Sequence, residues 1–229
     1  MSGQNRDNQL SEAILSQRGW LSEQQPEIRQ LILEESTTVR FAKGATIYQS
    51  GDPGDGIYGV VLGRIKFSSF QDDGREIISG VASPGTWFGE LSVMDGLPRH
   101  HSAITLSDVL VLYLSLQKFR KLVTQTPAYL SCFMAILSRN LRSMITLQDI
   151  LSKPPLPRLM ELIAMLRREY IKSGQRPEMR IKVSQDQLAG MSGLTRQTIN
   201  STLRTLEEKG LIERRYGEIV VKRAEEVGN

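Results

Sequence analysis

Hydrophobic residues recur with a helical period near the C-terminal end of the chain. Ile199, Leu203 and Leu206 follow one another at intervals of four and three residues, which places them on one face of a predicted helix. Upstream, residues 184–187 form a Ser-x-x-Gln capping box for a preceding helix, and residues 190–193 supply a turn between the two. The pattern therefore predicts a helix, a tight turn and a second helix.

The polar positions of the second helix carry the first indication of function. Because its apolar face must pack on the protein, the polar side chains turn to solvent, and Thr195 can cap the first turn. The outward residues are Arg196, Gln197, Asn200, Ser201 and Arg204. Residues of these types read base edges and phosphates in DNA. We interpret the segment as a DNA-reading device; the alternative is a protein-interaction module with an ordinary polar face.

The middle of the chain has a different character. Residues 44–96 hold 11 of the 19 glycines, and these separate short β-prone runs at 59–70, 76–81 and 103–116. Many short strands joined by glycine-bearing turns imply a sandwich or a barrel. Before them, residues 22–35 read as a short amphipathic helix opened by a second Ser-x-x-Gln box.

A long helix is predicted over residues 127–151. An alternating four-three spacing, typical of a coiled-coil seam, runs through Leu130, Met134, Leu137, Leu141, Met144, Gln148 and Leu151. The seam predicts a dimerisation helix, and the alternative is that it packs on its own β-domain. Because Phe133 and Ile136 add apolar surface on another face, we expect the helix to do both. The prolines of segment 153–157 then end the helix and predict a hinge.

The segment beyond the hinge completes a recognisable unit. A helix is predicted over 158–172, a strand over 180–183, and a hairpin over 211–222 around Tyr216-Gly217. The hairpin follows the two-helix segment and would supply a wing. Helix, turn, helix and wing together predict a winged helix-turn-helix.

Composition and charge agree with this division. The chain has 229 residues and 40% apolar content, which suits two soluble domains. Its polar N-terminus and the lack of any run of ~18 apolar residues favour a cytoplasmic protein with no membrane partner. Cys132 is the only cysteine, so an intramolecular disulfide is excluded. Residues 1–156 hold 15 basic against 15 acidic residues and residues 157–229 hold 14 against 10, so the excess of +4 lies beside the predicted DNA-reading helix.

Three motifs in this order resemble the cAMP receptor protein/fumarate-nitrate regulator family of transcription factors. They are Gly51-Asp52 through Tyr58 to Gly63, Phe88-Gly89-Glu90-Leu91 to Pro98-Arg99, and Leu194-Thr195-Arg196-Gln197-Thr198-Ile199. The resemblance implies an α+β fold with an N-terminal antiparallel β-roll, a jelly roll of the cyclic-nucleotide-binding kind. The expected parts are a sensor domain at 1–126, a dimerisation helix at 127–152, a hinge at 153–157 and a DNA-binding domain at 158–229.

The resemblance also implies a phosphate-binding cassette between Gly89 and Arg99. The turn after Gly89 would begin a short helix whose free amides hold an anion, Arg99 would pair with a cyclic phosphate, and Glu90 would accept from a ribose hydroxyl. The alternative is that Glu90 and Arg99 pair with each other. The expected ligand-binding residues are Gly89, Glu90, Leu91, Arg99, His100, Met144 and Ile145.

Two departures from the cAMP-binding members weaken an assignment to cAMP itself. His100 stands where a small hydroxyl residue usually follows the arginine, and Met144-Ile145 stands where a Thr-Ser pair reads adenine. The possible effectors are therefore a cyclic nucleotide in general or a larger cyclic dinucleotide, and the site can also bind nothing.

For DNA, the resemblance implies that Arg196 reads a guanine. Gln197 stands where many relatives have Glu, so adenine is expected in place of a cytosine contact at that position. Asn200 and Ser201 occupy the next outward positions, and phosphate contacts are expected from Thr195, Ser184 and Arg204. The partners implied are double-stranded DNA as an inverted repeat, a second copy through helix 127–151, and RNA polymerase.

Other functional classes are alternatives to this interpretation. In a cupin-like metal oxygenase, the candidate ligands would be Glu90, His100 and His101. The two histidines also suggest a haem or metal sensor. In extended structure, adjacent histidines point to opposite faces, and two of them fall short of a usual protein ligand set. No nucleotide-hydrolysing loop or nucleophile–base set is found, so we expect no enzyme and no certain cofactor.

Overall fold

The computed structural model describes residues 3–74, 76–172 and 180–222. The predicted DNA-binding domain at 158–229 thus includes residues 173–179 and 223–229, which lie outside the described residues. The chain divides into two compact units, each described by itself. Unit one comprises residues 1–69 and 79–141, and unit two comprises residues 70–78 and 142–229.

Three helices precede the strands of unit one. They are α1 Gly3–Leu15, α2 Gly19–Ser22 and α3 Pro26–Glu35. The capping box predicted at residues 22–25 is wrong: the Ser22 hydroxyl donates to the carbonyl of Gly19 at 2.7 Å, and Gln25 makes no side-chain cap bond. Helix α3 begins at Pro26 because a proline at the first helical position loses no intrahelical hydrogen bond.

In the described part of the chain, eight strands form two sheets that confirm the predicted β-roll; they belong to unit one except for Phe70 at the end of β4 and residues 76–78 of β5. The strands are β1 Thr37–Phe41, β2 Thr46–Tyr48, β3 Gly56–Leu62, β4 Ile65–Phe70, β5 Glu76–Ala82, β6 Trp87–Phe88, β7 Ser102–Thr105 and β8 Val109–Ser115. One sheet has the order β1-β8-β3-β6 and the other β2-β7-β4-β5. Helix α4, Glu90–Asp95, lies between β6 and β7, and α5, Leu116–Gln125, follows β8.

Strand β8 explains how the roll is held together. Its side chains alternate between two hydrophobic clusters: Leu110, Leu112 and Leu114 pack with the helices, whereas Val109 and Val111 pack inside the roll. A strand buried on both faces needs apolar residues at every position, and β8 reads VLVLYLS. The roll therefore has an interior cluster and an outer cluster that anchors the helices.

Helix α6, Tyr129–Leu151, is the long helix expected from the sequence. Phe133 and Ile136 are 1% exposed and belong to the outer cluster of unit one. The predicted seam is exposed at Leu130, Met134, Leu141 and Met144 in the single chain. None of the helices in the described part of the chain is long and apolar enough to cross a membrane.

The non-helical segment between α6 and the next helix is shorter than the sequence predicted. Helix α6 ends at Leu151 and α7, Pro155–Lys172, begins after a gap of three residues, so the predicted hinge at 153–157 overlaps a helix. Pro155 and Pro157 lie in the first turn of α7, where a missing amide hydrogen costs no intrahelical bond. Only residues 152–154 link the two helices.

Unit two confirms the winged helix-turn-helix. Its further elements are β9 Arg180–Lys182, α8 Gln185–Ser192, α9 Arg196–Glu208, β10 Ile212–Arg215 and β11 Glu218–Val221. The three strands form an antiparallel sheet in the order β10-β11-β9, and the β10–β11 hairpin turns at Tyr216-Gly217. Leu159, Leu162 and Leu188 are buried, as is the inward face of α9.

Candidate functional site

The loop from β6 into α4 is shaped by a glycine that no other residue can replace without strain. Gly89 has φ +88°, in the left-handed region, and it caps the N-terminus of α4. A Cβ on Gly89 would lie 2.9 Å from Nη1 of Arg99 and 3.0 Å from the carbonyl oxygen of Gly56. The glycine therefore permits both the turn and the close approach of the Arg99 guanidinium.

Arg99 is buried and already paired. It is 3% exposed, and its Nη1 donates to the carbonyl of Gly89 at 2.6 Å. Its Nη2 donates to Oδ1 of Asp55 at 2.6 Å and to the carbonyl of Gly56 at 2.8 Å, while its buried Nε has no partner among the described residues. The cation expected to hold a phosphate is thus neutralised by a carboxylate of the same chain.

Asp55 is held in place by two tyrosines. The Tyr58 hydroxyl donates to its Oδ2 at 2.7 Å, and the Tyr113 hydroxyl donates to its carbonyl oxygen at 2.9 Å. Burial raises the pKa of Tyr58, and the hydrogen bond to Asp55 raises it further, so the phenol keeps its proton and stays a donor. Sequence reasoning missed Asp55, although it lies in the glycine-bearing run that carried the family resemblance.

Glu90 has a hydrogen-bond partner other than Arg99. Its Oε1 accepts from Nδ2 of Asn140 at 2.8 Å, and its side chain is buried. Burial raises the pKa of Glu90, while the Asn140 hydrogen bond lowers it. The alternative pairing of Glu90 with Arg99 is wrong, because Arg99 pairs with Asp55 and Glu90 bonds Asn140. No pattern in the sequence had singled out Asn140.

Aromatic rings cover Arg99 inside the roll. The Arg99 guanidinium lies over the Tyr48 ring at 4.3 Å, a cation–π distance. Tyr58 stacks on Phe88 at 5.3 Å between centroids, and Phe67 lies 5.1 Å from Phe88. We call Tyr48, Tyr58, Phe67, Phe88 and His101 the aromatic layer. Of these five residues, only Phe67 lies in one of the β-prone runs predicted from the sequence, and sequence reasoning did not bring the five together.

His101, rather than His100, joins the aromatic layer. The His101 ring lies 4.8 Å from the Phe67 ring, and its Nε2 is 3.5 Å from the Tyr48 hydroxyl. Burial, together with the smaller effect of the positive charges of His100 and Arg99, lowers the pKa of His101 to about 4. His101 is therefore neutral near pH 7. His100 is exposed, and its carbonyl accepts from the Ser50 hydroxyl at 3.2 Å.

The remaining predicted ligand residues are exposed. Leu91 is 50% exposed on α4, and Met144 and Ile145 are 57% and 50% exposed on α6. Unit one thus brings together Gly89, Glu90 and Arg99. The ligand-binding roles of all seven predicted residues stay predictions. Within residues 3–74, 76–172 and 180–222, no group of three or more His, Cys, Asp or Glu could hold a metal ion.

Helix α9 has the two faces expected from the sequence. Ile199, Leu203 and Leu206 are at most 2% exposed, which confirms the inward face. The predicted DNA-reading residues Arg196, Gln197, Asn200, Ser201 and Arg204 are all exposed. The Thr195 hydroxyl accepts from the amide of Thr198 at 3.1 Å, so the predicted cap is also confirmed.

Helix α8 is fixed by the capping box predicted at residues 184–187. The Ser184 hydroxyl accepts from the amide of Gln187 at 3.1 Å, and the Gln187 side chain accepts from the amide of Ser184 at 2.9 Å. Gly193 ends α8 with φ +68°. Asp186, in the first turn of α8, has its Oδ1 3.5 Å from Nη1 of Arg196. Sequence reasoning missed Asp186, because nothing in the spacing links it to α9.

The wing is tied to α9 by an ion pair. Oε1 of Glu207 accepts from the amide of Arg214 at 2.9 Å, and its Oε2 accepts from Nε of Arg214 at 2.8 Å. These bonds lower the pKa of Glu207. Arg215 bonds Glu213 at 2.7 Å, and Tyr216 at the turn is fully exposed. The hairpin is therefore held against the helix that carries the exposed polar row.

Comparison with protein families matches both units in order. Residues 38–126 match the family described as Cyclic nucleotide-binding domain. Residues 157–227 match the Crp-like helix-turn-helix domain. The first match covers the β-roll with Asp55 and Arg99, and the second covers α7 to the wing.

Individual relatives agree with these matches. The CRP-like cAMP-activated global transcriptional regulator of Mycobacterium tuberculosis is 26% identical over 201 residues, covering 87% of this chain and 90% of the relative. The cyclic AMP receptor protein of Thermus thermophilus is 27% identical over 184 residues, covering 80% and 83%. The structure of the c-di-GMP responsive global regulator CLP of Xanthomonas campestris aligns with a TM-score of 0.73 at 22% identity, covering 87% of this chain and 100% of that one. With both domains matched on this fold, the chain belongs to the cAMP receptor protein/fumarate-nitrate regulator family of DNA-binding transcription regulators.

Proposed function

We propose that the chain is a homodimeric regulator that reads an inverted repeat and is gated by an anionic cyclic nucleotide bound in the β-roll. The observation that carries the DNA-reading part is the exposed row on α9. Arg196, Gln197 and Asn200 face solvent on a helix whose opposite face is fully packed. An arginine that donates two N–H groups of one guanidinium edge to guanine O6 and N7 discriminates by ~1–3 kcal/mol.

The roles along this surface follow from residue chemistry. Arg196 reads guanine, and Gln197 bonds adenine through N6 and N7. Asn200 and Ser201 are the next outward residues, although the Ser201 hydroxyl donates to the carbonyl of Thr198 at 3.0 Å in the free protein. Ser184, Thr195 and Arg204 contact phosphates and set the register of the helix on the duplex.

The effector is proposed to bind by replacing Asp55 at Arg99. A cyclic phosphate carries the same charge as the carboxylate and accepts from the same guanidinium, so the two compete for one cation. Glu90 is the candidate acceptor for a ribose hydroxyl, because it is buried in the same cassette with one oxygen bonded to Asn140. The relatives above are named as cAMP-activated and as c-di-GMP responsive, and both ligands share this phosphate chemistry.

A second candidate function is favoured by the same geometry. Arg99 is 3% exposed, and Tyr48 covers its guanidinium. If no ligand displaces Asp55, the chain is a regulator of the same fold that works without an effector. The two candidates differ in a single property, which is whether a cyclic nucleotide changes the affinity for DNA.

Dimer formation is proposed through α6. The predicted seam places Leu130, Met134, Leu141 and Met144 in solvent in the single chain, at 44–59% exposure. A row of exposed large apolar side chains on one helix is suited to a second copy of that helix. Two copies of α9 would then meet half-sites about one DNA turn apart, ~34 Å. We further propose that the protein acts on RNA polymerase in the cytoplasm, in line with relatives named transcriptional regulators.

Site selection from a random DNA pool tests the DNA-reading part. The wild-type protein should enrich an inverted repeat with a guanine in each half-site, and Arg196→Ala should lose the preference for that guanine. Arg204→Ala, the control from the same face of α9, should weaken binding to all sequences about equally, because phosphates carry no sequence information. An Arg196→Ala protein that selects the wild-type site would contradict this assignment.

A further inference from the structure

The ion pair between Asp186 and Arg196 joins the two helices of the helix-turn-helix at the DNA-reading surface. Arg196 is the first residue of α9, and Asp186 is the second residue of α8. Nη1 of Arg196 lies 3.5 Å from Oδ1 of Asp186, and the two side chains are 70% and 71% exposed. The pair therefore sits in solvent at the N-terminal end of the proposed reading helix.

The backbones on both sides of this pair are held in place. The Ser184 capping box fixes the first turn of α8, and Thr195 caps the first turn of α9. The connection between the helices is secured by Arg158, whose Nη1 donates to the carbonyl of Ser192 at 3.1 Å. Because the first turns of both helices are capped, the Asp186 backbone is held where its carboxylate can reach Arg196.

We propose that Asp186 is a positioning residue that orients Arg196 for guanine. This inference rests on the proposed reading of guanine by Arg196. The planar guanidinium has two donor edges, so one nitrogen can stay on the carboxylate while the other edge faces guanine O6 and N7. An arginine held this way loses less side-chain entropy on binding, since part of that loss is already incurred in the free protein.

The carboxylate also carries a cost that applies to every DNA sequence. It adds a negative charge at a surface that must approach phosphates, which weakens binding in general. Asp186 thus favours discrimination over affinity. Arg204 provides a contrast on the same exposed face, because it forms no ion pair with any residue in the described ranges. A phosphate contact needs charge more than orientation, so an arginine in that role requires no such partner.

The test compares Asp186→Asn with Glu208→Gln. Each variant removes one carboxylate charge from an exposed position of the same unit, and Glu208 lies at the far end of α9 from Arg196. The dissociation constant is measured by fluorescence anisotropy on the preferred site and on a site with the Arg196-contacted guanine replaced in one half. Discrimination is the ratio of the dissociation constant on the replaced site to that on the preferred site. We expect Asp186→Asn to lower this ratio by about two- to fivefold, the range for an exposed ion pair. Glu208→Gln should keep the wild-type ratio.

The affinity for unrelated DNA separates positioning from a purely structural role. Asp186 also lies at the positive end of α8, where a carboxylate stabilises the helix. If that were its only role, Asp186→Asn would weaken all sequences together and leave the ratio unchanged, which would overturn the proposal. We expect Asp186→Asn to bind unrelated DNA either as tightly as Glu208→Gln does or more tightly than the wild type does.

Arg196→Ala distinguishes this inference from the function on which it rests. If Arg196→Ala keeps the discrimination for guanine, the proposed reading by Arg196 is wrong. If Arg196→Ala loses the discrimination while Asp186→Asn keeps it, only the positioning role is wrong. The double variant Asp186→Asn with Arg196→Ala should discriminate no less than Arg196→Ala alone, because Asp186 acts through the arginine. A further loss in the double variant would contradict a role through Arg196.

Discussion

Among single residues, the ion pair of Arg99 and Asp55 is the contact that a ligand of the β-roll would have to replace. The guanidinium is buried, whereas the side chain of Asp55 is 52% exposed, so solvent screens the pair on one side only. Under the proposed function, a phosphate that binds Arg99 replaces this carboxylate next to the Tyr48 ring that covers the guanidinium. In this proposal, ligand binding is coupled to the release of the Asp55 carboxylate from Arg99.

Asp55→Asn should raise the affinity for a cyclic nucleotide while lowering the stability of the free protein. The amide competes less well than a carboxylate for Arg99, so we expect a gain in affinity of about two- to fivefold. The free energy of unfolding should fall, because a buried charge loses its counter-ion. Calorimetric titration with a cyclic nucleotide and thermal unfolding measure the two effects. Asp72→Asn, in the exposed turn after β4, is the control and should change neither.

His101 predicts a pH dependence of stability. Its pKa is lowered to about 4 in the folded protein, against an ordinary value near 6.5. Between these values the unfolded chain binds more protons, so the free energy of unfolding falls as the pH drops from roughly 6.5 to roughly 4. The groups nearest the ring are Tyr48, Arg99 and His100, and none of them supplies a negative charge to oppose this.

The measurement is the thermal unfolding midpoint of the wild type and of His101→Gln between pH 4 and pH 7. The variant should lose less stability on acidification, because glutamine does not titrate. His100→Gln should keep most of the wild-type pH dependence, since burial of His101, and not the charge of His100, is the largest cause of its lowered pKa. Identical profiles for the wild type and His101→Gln would show that His101 is not held neutral by burial.

At the scale of elements, local chemistry decided which predictions from the sequence held. Both caps of the helix-turn-helix were predictable, because Ser184 and Thr195 bond only residues three positions away. The same motif at residues 22–25 failed because tertiary packing placed Ser22 at the end of α2 instead. The bounds of the hinge failed for a related reason, since Pro155 is tolerated inside a first turn.

Helix α9 yields a prediction about base preference. Gln197 is exposed beside Arg196, where a glutamine bonds adenine and a glutamate accepts from cytosine N4. Site selection with Gln197→Glu should therefore move the preferred base at one position per half-site from adenine to cytosine. Gln187→Glu is not a suitable control, because Gln187 completes the cap of α8. Gln185→Glu makes the same change outside α9 and should keep adenine at that position.

Helix α6 yields a prediction about assembly. Leu141 is 59% exposed on the predicted seam, so Leu141→Glu should leave the fold intact and place like charges opposite each other in a dimer. Analytical ultracentrifugation should then show a shift from dimer to monomer, with weaker binding to an inverted repeat. Thr146→Glu, exposed and off the predicted seam, should stay dimeric. A wild-type monomer at micromolar concentration would contradict the proposed seam.

At the scale of the whole molecule, the order of the parts was more predictable than the contents of the effector site. Glycine spacing, the α6 pattern and the capped helix pair are local signals, and they predicted the order of a sandwich or barrel, a long helix and a winged helix-turn-helix. The β-roll in particular was implied by the family resemblance. Asp55 and Asn140 reach the site from 44 and 50 residues away from their partners. Such contacts depend on how strands pair, which single-sequence patterns do not fix.

We propose that a cyclic nucleotide that displaces Asp55 from Arg99 controls DNA reading by α9. The most direct test is the affinity for the selected inverted repeat, measured by fluorescence anisotropy during titration with cAMP, cGMP or cyclic di-GMP, for the wild type and for Arg99→Ala. We predict that at least one of the three changes the DNA affinity of the wild type in a saturable way and has no effect on Arg99→Ala. Tight DNA binding by the wild type that none of the three alters would contradict the claim and favour the regulator that works without an effector.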